Sequence, residues 1–430
     1  MALMQLRRSI LGRSQRALGV RLARSFSSVS EPPLRRVCVV GSGPAGFYAT
    51  KYLLKEHAGA RVDMLEVLPT PFGLVRSGVA PDHPEVKSVM NDFDKVAADE
   101  RFRFLGNVRV GEDVSLAELQ QHYHAVVLAY GAAGDRKLGV PGEELRGVLS
   151  ARTFVNWYNG HPAFRDLELD LKQAETAVVI GQGNVAVDCA RILTKNVDEL
   201  ATTDIAAHAV EVLRKSGIKK VFLIKFLSSP VEIIADVKDS TRVGGIRVEK
   251  TKLEGEPNQQ RAVGTGEFED IPCNLVLRSI GYKSLPIEAN APFDNCRHVV
   301  SNDHGRVVTT SSSGEKQTVV GLYCTGWVKR GPSGIIGTNI VDARETVNCI
   351  VEDFAAGNYL HSESNTDEDL DGLKAVEKLI KKRNLDKQLV RWADYERLNA
   401  EENRRGELVG KPREKVTSVT EMLEIAKSAN

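Results

Sequence analysis

Two features that would narrow the function of a chain are missing from this one. The 430-residue sequence has no uninterrupted apolar run long enough to cross a bilayer. Its six cysteines are scattered, and no two have C-x-x-C spacing, which argues against a zinc ribbon or a redox dithiol. Cys38 and Cys189 lie within apolar patterns, so we expect both to be small core residues.

Acidic residues are absent before Glu31, whereas residues 1–30 contain six arginines and several serines. This composition is typical of a mitochondrial transit peptide, the alternative being a disordered basic arm that binds nucleic acid or lipid. Without the six arginines, the formal net charge of +1 becomes −5, which gives no support for nucleic-acid binding. The length allows two to three domains.

One glycine motif occurs twice. An apolar strand at 37–40 runs into Gly41-Ser42-Gly43-Pro44-Ala45-Gly46, and a second at 177–180 runs into Gly181-Gln182-Gly183-Asn184-Val185-Ala186. In this motif the first glycine makes a tight turn, the second lets the backbone approach a pyrophosphate, and the third position lets helix and strand pack closely. The free N–H groups of the following helix attract phosphate. Two copies predict two nucleotide sites and electron transfer between two cofactors.

Apolar and polar patterning predicts an α/β protein. We expect strands at 61–66, 108–110, 125–129 and 220–224, and strand-rich sequence up to Gly281. We expect helices at 44–56, 85–100, 184–194, within 205–216, from Ile335 onward and at 373–382, and a flexible linker at 358–371. Glu66 follows Gly41 by about the spacing at which an acidic side chain binds the ribose of a dinucleotide. The alternative is that Glu66 is a solvent-exposed residue at the end of a strand. The long loop 69–84 is expected to be functional or mobile.

Two further groups carry candidate chemistry. Gly334-Ile335-Ile336 is expected to open a helix whose N–H groups hold the electron-rich atoms of a flavin, with Trp327 flanking the ring rather than acting only as a core aromatic. His83 and Asp188 are candidate catalytic residues, as a hydrogen-bonded pair near the nicotinamide. Because a hydride donor needs no general base, such a pair would tune or orient.

These segments, together with 71–84, Ser279-Ile280-Gly281-Tyr282-Lys283-Ser284 and Gly326-Trp327-Val328-Lys329-Arg330-Gly331-Pro332, resemble the mitochondrial NADPH:adrenodoxin (ferredoxin) oxidoreductase family over nearly all of 35–430. The resemblance implies two Rossmann-like, three-layer domains: an FAD-binding domain (35–134 and 284–430) and an NADP-binding domain (135–283) inserted into it. Hydride would pass from NADPH to FAD, and single electrons to a [2Fe–2S] ferredoxin that serves cytochromes P450, steroid metabolism and iron–sulfur assembly.

The resemblance also implies site residues and a location. FAD contacts would fall on Gly41, Gly43, Ala45, Gly46, Glu66, Leu74, Val110, Trp327, Gly334, Ile335 and Ile336, and NADP contacts on Gly181, Gln182, Gly183, Asn184 and Val185. No metal site is expected, and nucleic acid is not an expected partner. The protein would lie on the matrix side of the mitochondrion, in peripheral association with the inner membrane.

One departure from the family pattern follows Ile224. Family members continue there into Gly-Arg-Arg-Gly, whose arginines read the 2′-phosphate of NADP, whereas this chain continues as Lys225-Phe226-Leu227. Roughly 60 residues are missing by motif position, more than a trimmed surface loop. We therefore expect exposed apolar surface on the NADP sheet, a reduced basic ferredoxin-binding patch, and weak or no NADPH turnover with FAD binding retained.

The sequence leaves three hypotheses for the function of the chain. The first is the active ferredoxin reductase. The second is a flavoprotein disulfide reductase, which needs the cysteine pair that this chain lacks. The third is a truncated, non-catalytic FAD-binding isoform.

Overall fold

The computed structural model of the chain describes residues 33–224, 226–311, 314–362, 370–383 and 387–428. The expected transit peptide, Lys225 and part of the expected linker at 358–371 lie outside these residues. Within the described part, no helix is long and apolar enough to span a membrane.

The first part of the chain alternates strands and helices. Its elements are β1 (Arg35–Val40), α1 (Pro44–Glu56), β2 (Ala60–Leu65), α2 (Leu74–Ser77), α3 (Pro84–Lys87), α4 (Met90–Ala97), β3 (Phe102–Leu105), α5 (Leu116–His122), β4 (Ala125–Leu128) and β5 (Gly134–Asp135).

The middle part begins with the same alternation and continues as strands. Its elements are β6 (Val148–Ser150), α6 (Ala151–Tyr158), a 3-10 helix (Pro162–Phe164), β7 (Thr176–Ile180), α7 (Asn184–Thr194), α8 (Val197–Ala201), α9 (Ala207–Arg214), β8 (Lys220–Leu223), β9 (Ser228–Ala235), β10 (Val243–Glu254), β11 (Arg261–Pro272), β12 (Leu275–Arg278) and β13 (Tyr282–Lys283).

The last part adds short strands and then helices. Its elements are β14 (Phe293–Asp294), β15 (Val299–Val300), β16 (Asn302–Asp303), β17 (Arg306–Thr310), β18 (Lys316–Cys324), α10 (Trp327–Arg330), α11 (Thr338–Ala356), α12 (Leu373–Lys382), α13 (Trp392–Leu408) and α14 (Val419–Lys427).

The larger sheet has the order β16-β17-β18-β4-β1-β2-β3, in which the strands from β18 to β3 run parallel. Strand β1 shows why the sheet is buried on both faces. Its Val37 and Val39 enter the core shared with α1 and α11, while Cys38 and Val40 enter the core shared with α5 and α12. A parallel sheet with helices on both faces is the predicted three-layer arrangement.

The smaller parallel sheet has the order β6-β12-β7-β8. On one face Ala177 and Val179 pack against α6, α7 and α9. On the other face Val178 and Ile180 pack against the antiparallel sheet β11-β10-β9 through residues such as Ile246. Strands β9 and β10 therefore cover this face over β7, whereas the edge strand β8 keeps Phe222 and Leu223 exposed, as expected for this sheet.

The smaller sheet is an insertion into the larger one. All four of its strands lie between β4 and β18 in the sequence, and β4 and β18 pair directly with each other. The two-stranded ladder of β5 and β13 joins the chain entering the insert to the chain leaving it. The fold class predicted from the sequence, α/β with one unit inserted into the other, is confirmed.

Several element predictions need correction. The helix expected at 85–100 is divided into α3 and α4 at a turn where the Ser88 hydroxyl donates to the Glu85 carbonyl. No strand covers the described residues 108–110; Val110 makes only an isolated bridge with Val114, and the strand lies earlier, at β3. The helix expected from Ile335 begins at Thr338, after two glycine-containing turns.

Candidate active site at the two glycine turns

The first glycine turn has the geometry that the sequence predicts. Gly41 has φ +106°, and a Cβ there would lie 2.7 Å from the Ala129 carbonyl oxygen. A Cβ on Gly46 would lie 2.1 Å from the Gly41 oxygen, so helix and turn touch at this position. At Gly43 a Cβ would meet nothing within 4 Å, and no side chain caps α1 there. The helix start is therefore open to a pyrophosphate.

The second turn repeats this pattern. Gly181 has φ +129°, and a Cβ there would lie 2.2 Å from the Ser279 oxygen. Gly183 faces open space at the uncapped start of α7. The Gln182 side-chain amide donates to the Ile224 carbonyl at 3.0 Å, which ties the exposed turn to the end of β8. These groups fit the phosphates of a second nucleotide, with Asn184 and Val185 on the first turn of the helix.

Glu66 is buried beside the first turn, directly after β2. One carboxylate oxygen accepts from the Ser42 backbone N–H at 3.0 Å and from its hydroxyl at 2.6 Å, and the other accepts from the Leu68 N–H at 3.1 Å. Burial raises the pKa of Glu66, and these hydrogen bonds oppose the increase. The carboxylate is thus held next to the open helix start, where the ribose of a dinucleotide would lie.

Two close glycine contacts bring separate FAD candidates together. A Cβ on Gly73 would lie 3.2 Å from the Gly43 Cα, so α2, which begins at Leu74, starts beside the open helix end. A Cβ on Gly326 would lie 2.4 Å from the Ala45 Cβ, so α10, which begins at Trp327, starts against α1.

Val110 belongs to the core on one face of the larger sheet. It is buried in the cluster that contains Val40 and Leu65, the last residues of β1 and β2. This places it near the same ends of the strands from which the first turn and Glu66 follow.

The segment 334–336 forms a loop before α11 rather than the first turn of a helix. Gly334 has φ +81°, and a Cβ there would lie 2.5 Å from the Thr338 hydroxyl oxygen. Ile335 is 67% exposed, while Ile336 packs against the core. The expected helix opening at Gly334 is wrong, and its assignment as a flavin contact stays a prediction.

A short series of contacts links the two turns. Ser279 lies against Gly181, the Tyr282 ring lies 5.6 Å from the Trp327 ring, and Gly326 lies against Ala45. The second glycine turn and the start of α1 therefore adjoin the same group of residues.

His83 and Asp188 come together across the same junction, but not as the predicted hydrogen-bonded pair. His83 Nε2 lies 3.9 Å from an Asp188 carboxylate oxygen, which is beyond hydrogen-bond range. His83 Nδ1 instead lies 2.9 Å from Glu85, and Asp188 accepts from Arg191 at 2.8 Å. The pairing is corrected, and a role for either residue stays a prediction.

A bidentate contact at this junction was not predicted from the sequence. Asp82 accepts two hydrogen bonds from Arg191, at 2.7 and 2.9 Å. A pattern in the sequence could have pointed to it, since Asp188 and Arg191 lie three positions apart on one face of α7 and Lys195 follows directly after the helix.

The cysteines are free thiols, and most of them are buried. None of the six is in a disulfide, and all except Cys296 are buried. Burial raises the pKa of Cys38, Cys189 and Cys324, which keeps these thiols protonated and inert. Cys38 and Cys189 are core residues, as predicted. Among the described residues, no group of His, Cys, Asp and Glu is arranged to hold a metal ion.

Comparison with known proteins identifies the family. Residues 35–323 match the pyridine nucleotide-disulphide oxidoreductase family. The chain is 42% identical to "NADPH:adrenodoxin oxidoreductase, mitochondrial" of Arabidopsis thaliana, over 94% of this chain and 98% of that protein, and 40% identical to the human protein of that name, over 93% of each. The chain belongs to the NADPH:adrenodoxin oxidoreductase family.

A solved structure of the family has the same fold. Mycobacterium tuberculosis FprA in complex with NADPH superposes with a TM-score of 0.81 at 34% identity, over 92% of this chain and all of that one. The alignment with the Arabidopsis relative spans 483 positions, more than the 430 residues of this chain, so the relative has residues without a counterpart here. That the missing segment follows Ile224 stays a prediction.

Proposed function

We propose that this chain takes hydride from NADPH onto FAD and passes single electrons to a [2Fe–2S] ferredoxin of the adrenodoxin type. The observation that carries the proposal is the pair of open, uncapped helix starts at Gly43 and Gly183, joined through Tyr282 and Trp327. The names of the relatives support NADPH as donor and adrenodoxin as acceptor. They also support a mitochondrial location, for which we propose the matrix side with peripheral association with the inner membrane.

The first turn and its neighbours would hold FAD. The N–H groups at the start of α1 would face the pyrophosphate, and Glu66 would accept from the ribose hydroxyls. Ala45, Leu74 and Trp327 would border the remainder of the dinucleotide, with Val110 and the loop 334–336 as further proposed contacts. FAD supplies the chemistry that accepts a hydride and releases electrons one at a time.

The second turn would hold NADPH at the start of α7, through Gly181–Val185. His83 and Asp188 would lie beside the nicotinamide end and orient it, because hydride transfer requires no proton abstraction at that atom. The domain boundaries proposed are 35–134 with 284–430 for FAD, and 135–283 for NADP.

We propose that this chain selects the 2′-phosphate of NADPH poorly. No Gly-Arg-Arg-Gly follows Ile224, and a single lysine offers a point charge where two arginines would bind bidentately. Turnover with NADPH would then be weak at ordinary concentrations, with FAD still bound. Complete loss of turnover would correspond to the non-catalytic FAD-binding isoform, which the comparisons do not favour.

An anaerobic titration tests the proposal. Purified protein should contain FAD, and excess NADPH should bleach the flavin absorption, after which an added [2Fe–2S] ferredoxin should reoxidise it. NADH should work within about tenfold of NADPH, because the two arginines that would favour the 2′-phosphate are absent. Flavin that stays oxidised at saturating NADPH would refute the reductase in favour of the non-catalytic isoform, and protein without flavin would refute both.

A further inference from the structure

A partly buried ion pair bridges the host unit and the inserted unit. Asp82 lies in the loop after the first glycine turn, and its side chain is 5% exposed. Both of its oxygens accept from the Arg191 guanidinium, on α7 of the insert, at 2.7 and 2.9 Å. Such bidentate, charge-assisted contacts fix orientation as well as distance.

The same face of α7 makes the neighbouring contacts. Arg191 also lies 2.8 Å from Asp188, and Lys195 lies 3.3 Å from Asp82. His83, the residue after Asp82, is the one that approaches Asp188. Arg191 of α7 and Lys195, the residue after the helix, therefore hold the carboxylate of the loop that carries His83.

The pair is ionised at neutral pH. The hydrogen bonds from Arg191 hold the pKa of Asp82 at about 2, and those to Asp82 raise the pKa of Arg191. Because removing the Asp82 carboxylate and part of the Arg191 guanidinium from water offsets much of their attraction, the pair contributes more to geometry than to the free energy of unfolding.

We propose that Asp82 and Arg191 are positioning residues that set the distance between the two glycine turns and hence between the nicotinamide and the flavin. This inference rests on the function proposed above. Arg191 is two helical turns from Asn184, on the helix whose first turn would hold the NADPH phosphates. A shift of the Asp82–Arg191 ion pair would therefore move the whole helix. Hydride transfer requires reacting atoms about 3 to 3.5 Å apart, and a 1 Å error can cost about 100-fold in rate.

Other contacts keep the two units together when this pair is broken. Lys87 of the host donates to Asp204 of the insert at 2.7 and 2.8 Å, and Lys415 lies 2.9 Å from the same carboxylate. Asp82→Asn, which preserves the shape of the side chain and removes its charge, should therefore fold and bind FAD. Its effect should be confined to the alignment of the nicotinamide with the flavin.

The experiment compares Asp82→Asn, Asp82→Glu and Arg191→Lys with the matched control Asp198→Asn. Asp198 pairs with Arg214 at 2.9 Å within the insert, but both side chains are more than half exposed. Stopped-flow flavin reduction gives the limiting rate and the NADPH dissociation constant. Amide hydrogen exchange of residues 78–84 and 184–194 without NADPH gives a readout that is independent of activity.

We expect Asp82→Asn and Arg191→Lys to lower the limiting rate of flavin reduction by at least about tenfold, with the dissociation constant changed less than about twofold, because the pair does not touch the nucleotide. Exchange in both segments should accelerate, Asp82→Glu should recover part of both effects, and Asp198→Asn should match the parent. Unchanged exchange in Asp82→Asn would overturn the inference, as would an unchanged rate. If NADPH does not reduce the parent flavin, the proposed function fails, and the exchange comparison alone decides the inference.

Discussion

A methyl group added at Gly43 would meet open space, whereas one added at Gly46 would lie 2.1 Å from the Gly41 carbonyl oxygen. The two glycines of one motif are therefore required for different reasons. Gly46 is required because a side chain there would clash with the turn. Gly43 is required because the phosphates of a bound nucleotide would lie against the backbone at the start of the helix. A Cβ on Gly183 of the second turn would likewise meet nothing within 4 Å.

Alanine at Gly43 and at Gly183 should affect the two nucleotide sites independently. Gly43→Ala should fold and lose FAD by about tenfold or more in affinity, since its methyl group fills the space where the backbone would meet the pyrophosphate. Gly183→Ala should keep FAD and weaken NADPH by a similar factor. Flavin absorbance after dialysis and NADPH titration measure the two effects. Loss of FAD in both variants, or in neither, would contradict the assignment.

At the residue scale, the sequence was sufficient where local geometry decides. The positive φ of Gly41 and Gly181 and the burial of Glu66 beside the first turn follow from short-range motif spacing. The partner of Arg191 was not predictable, because it comes from a loop 109 positions away and depends on how the two units dock. The predicted His83–Asp188 hydrogen bond failed for the same reason, as each residue found a nearer partner.

Short elements meet at a buried cluster of unequal charge. Lys87 of α3, Lys415 before α14 and Asp204 before α9 place two lysines on one carboxylate. Burial raises the pKa of Asp204, but the two lysines together hold it well below its usual range. Burial lowers the pKa of Lys415 to about 7, because one carboxylate does not compensate two buried ammonium groups.

This cluster gives the stability of the protein a distinct pH dependence. In the unfolded chain Lys415 stays protonated to about pH 10, while in the folded chain it loses its proton above about pH 7. The unfolded state then binds more protons, so the free energy of unfolding should rise between about pH 7 and pH 10, by on the order of 1 to 3 kcal/mol.

Lys415→Met should remove most of this rise, leaving Lys87 and Asp204 as a matched pair. Thermal or urea unfolding at several pH values in this range measures the change. Lys219→Met is the control, because Lys219 forms an exposed pair with Glu175 at 2.9 Å. A pH dependence that is equal in both variants would show that Lys415 titrates as an ordinary lysine in the folded protein.

At the element scale, prediction succeeded for long periodic segments and failed at short ones. The expected helices at 44–56, 184–194 and 373–382 have the observed bounds. The start of α11 was placed too early because its first turn carries no capping side chain and follows a glycine turn. Strand β3 was missed because a four-residue strand next to a helix end has too few positions to show alternation.

An exposed apolar patch lies on the edge of the insert, at the end of β8. It consists of Phe222 (44% exposed), Leu223 (38%), Phe226 (84%) and Leu227 (47%). Strand β8 is an edge strand of its sheet, and an exposed apolar edge favours association between molecules. The patch lies where the sequence departs from the family pattern, as the expected exposure of apolar surface implied.

Replacing Phe226 should make the whole protein less prone to associate. We expect Phe226→Ser to lower both the fluorescence of bound anilinonaphthalene sulfonate and the fraction of oligomer by roughly twofold. Sedimentation velocity measures the oligomer. Leu408→Ser provides the control, since Leu408 is 72% exposed at the end of α13, in the host unit rather than at the β8 edge. Equal effects of the two substitutions would mean that general surface apolarity, rather than the patch, drives association.

At the scale of the whole molecule, the insertion was predictable only through the resemblance to a family. Alternating strands and helices indicate an α/β protein, but nothing in the periodicity of β18 shows that it pairs with β4, some 190 positions earlier. Likewise, the sequence predicted strands in the region of β9, β10 and β11, but not that they form an antiparallel sheet over the smaller parallel sheet. Pairing over such distances is decided by the packing of complete sheets.

The pairing of β4 with β18 also sets an order of events during synthesis. A ribosome delivers every strand of the smaller sheet before it delivers β18, so the insert can fold while β4 still has an open side. Val126 and Leu128 of β4 are completely buried in the finished protein, yet they stay unpaired toward β18 until about 200 further residues have emerged. The host unit therefore keeps one side of β4 open until the whole insert has been made, whereas every strand of the insert's parallel sheet is already present by then.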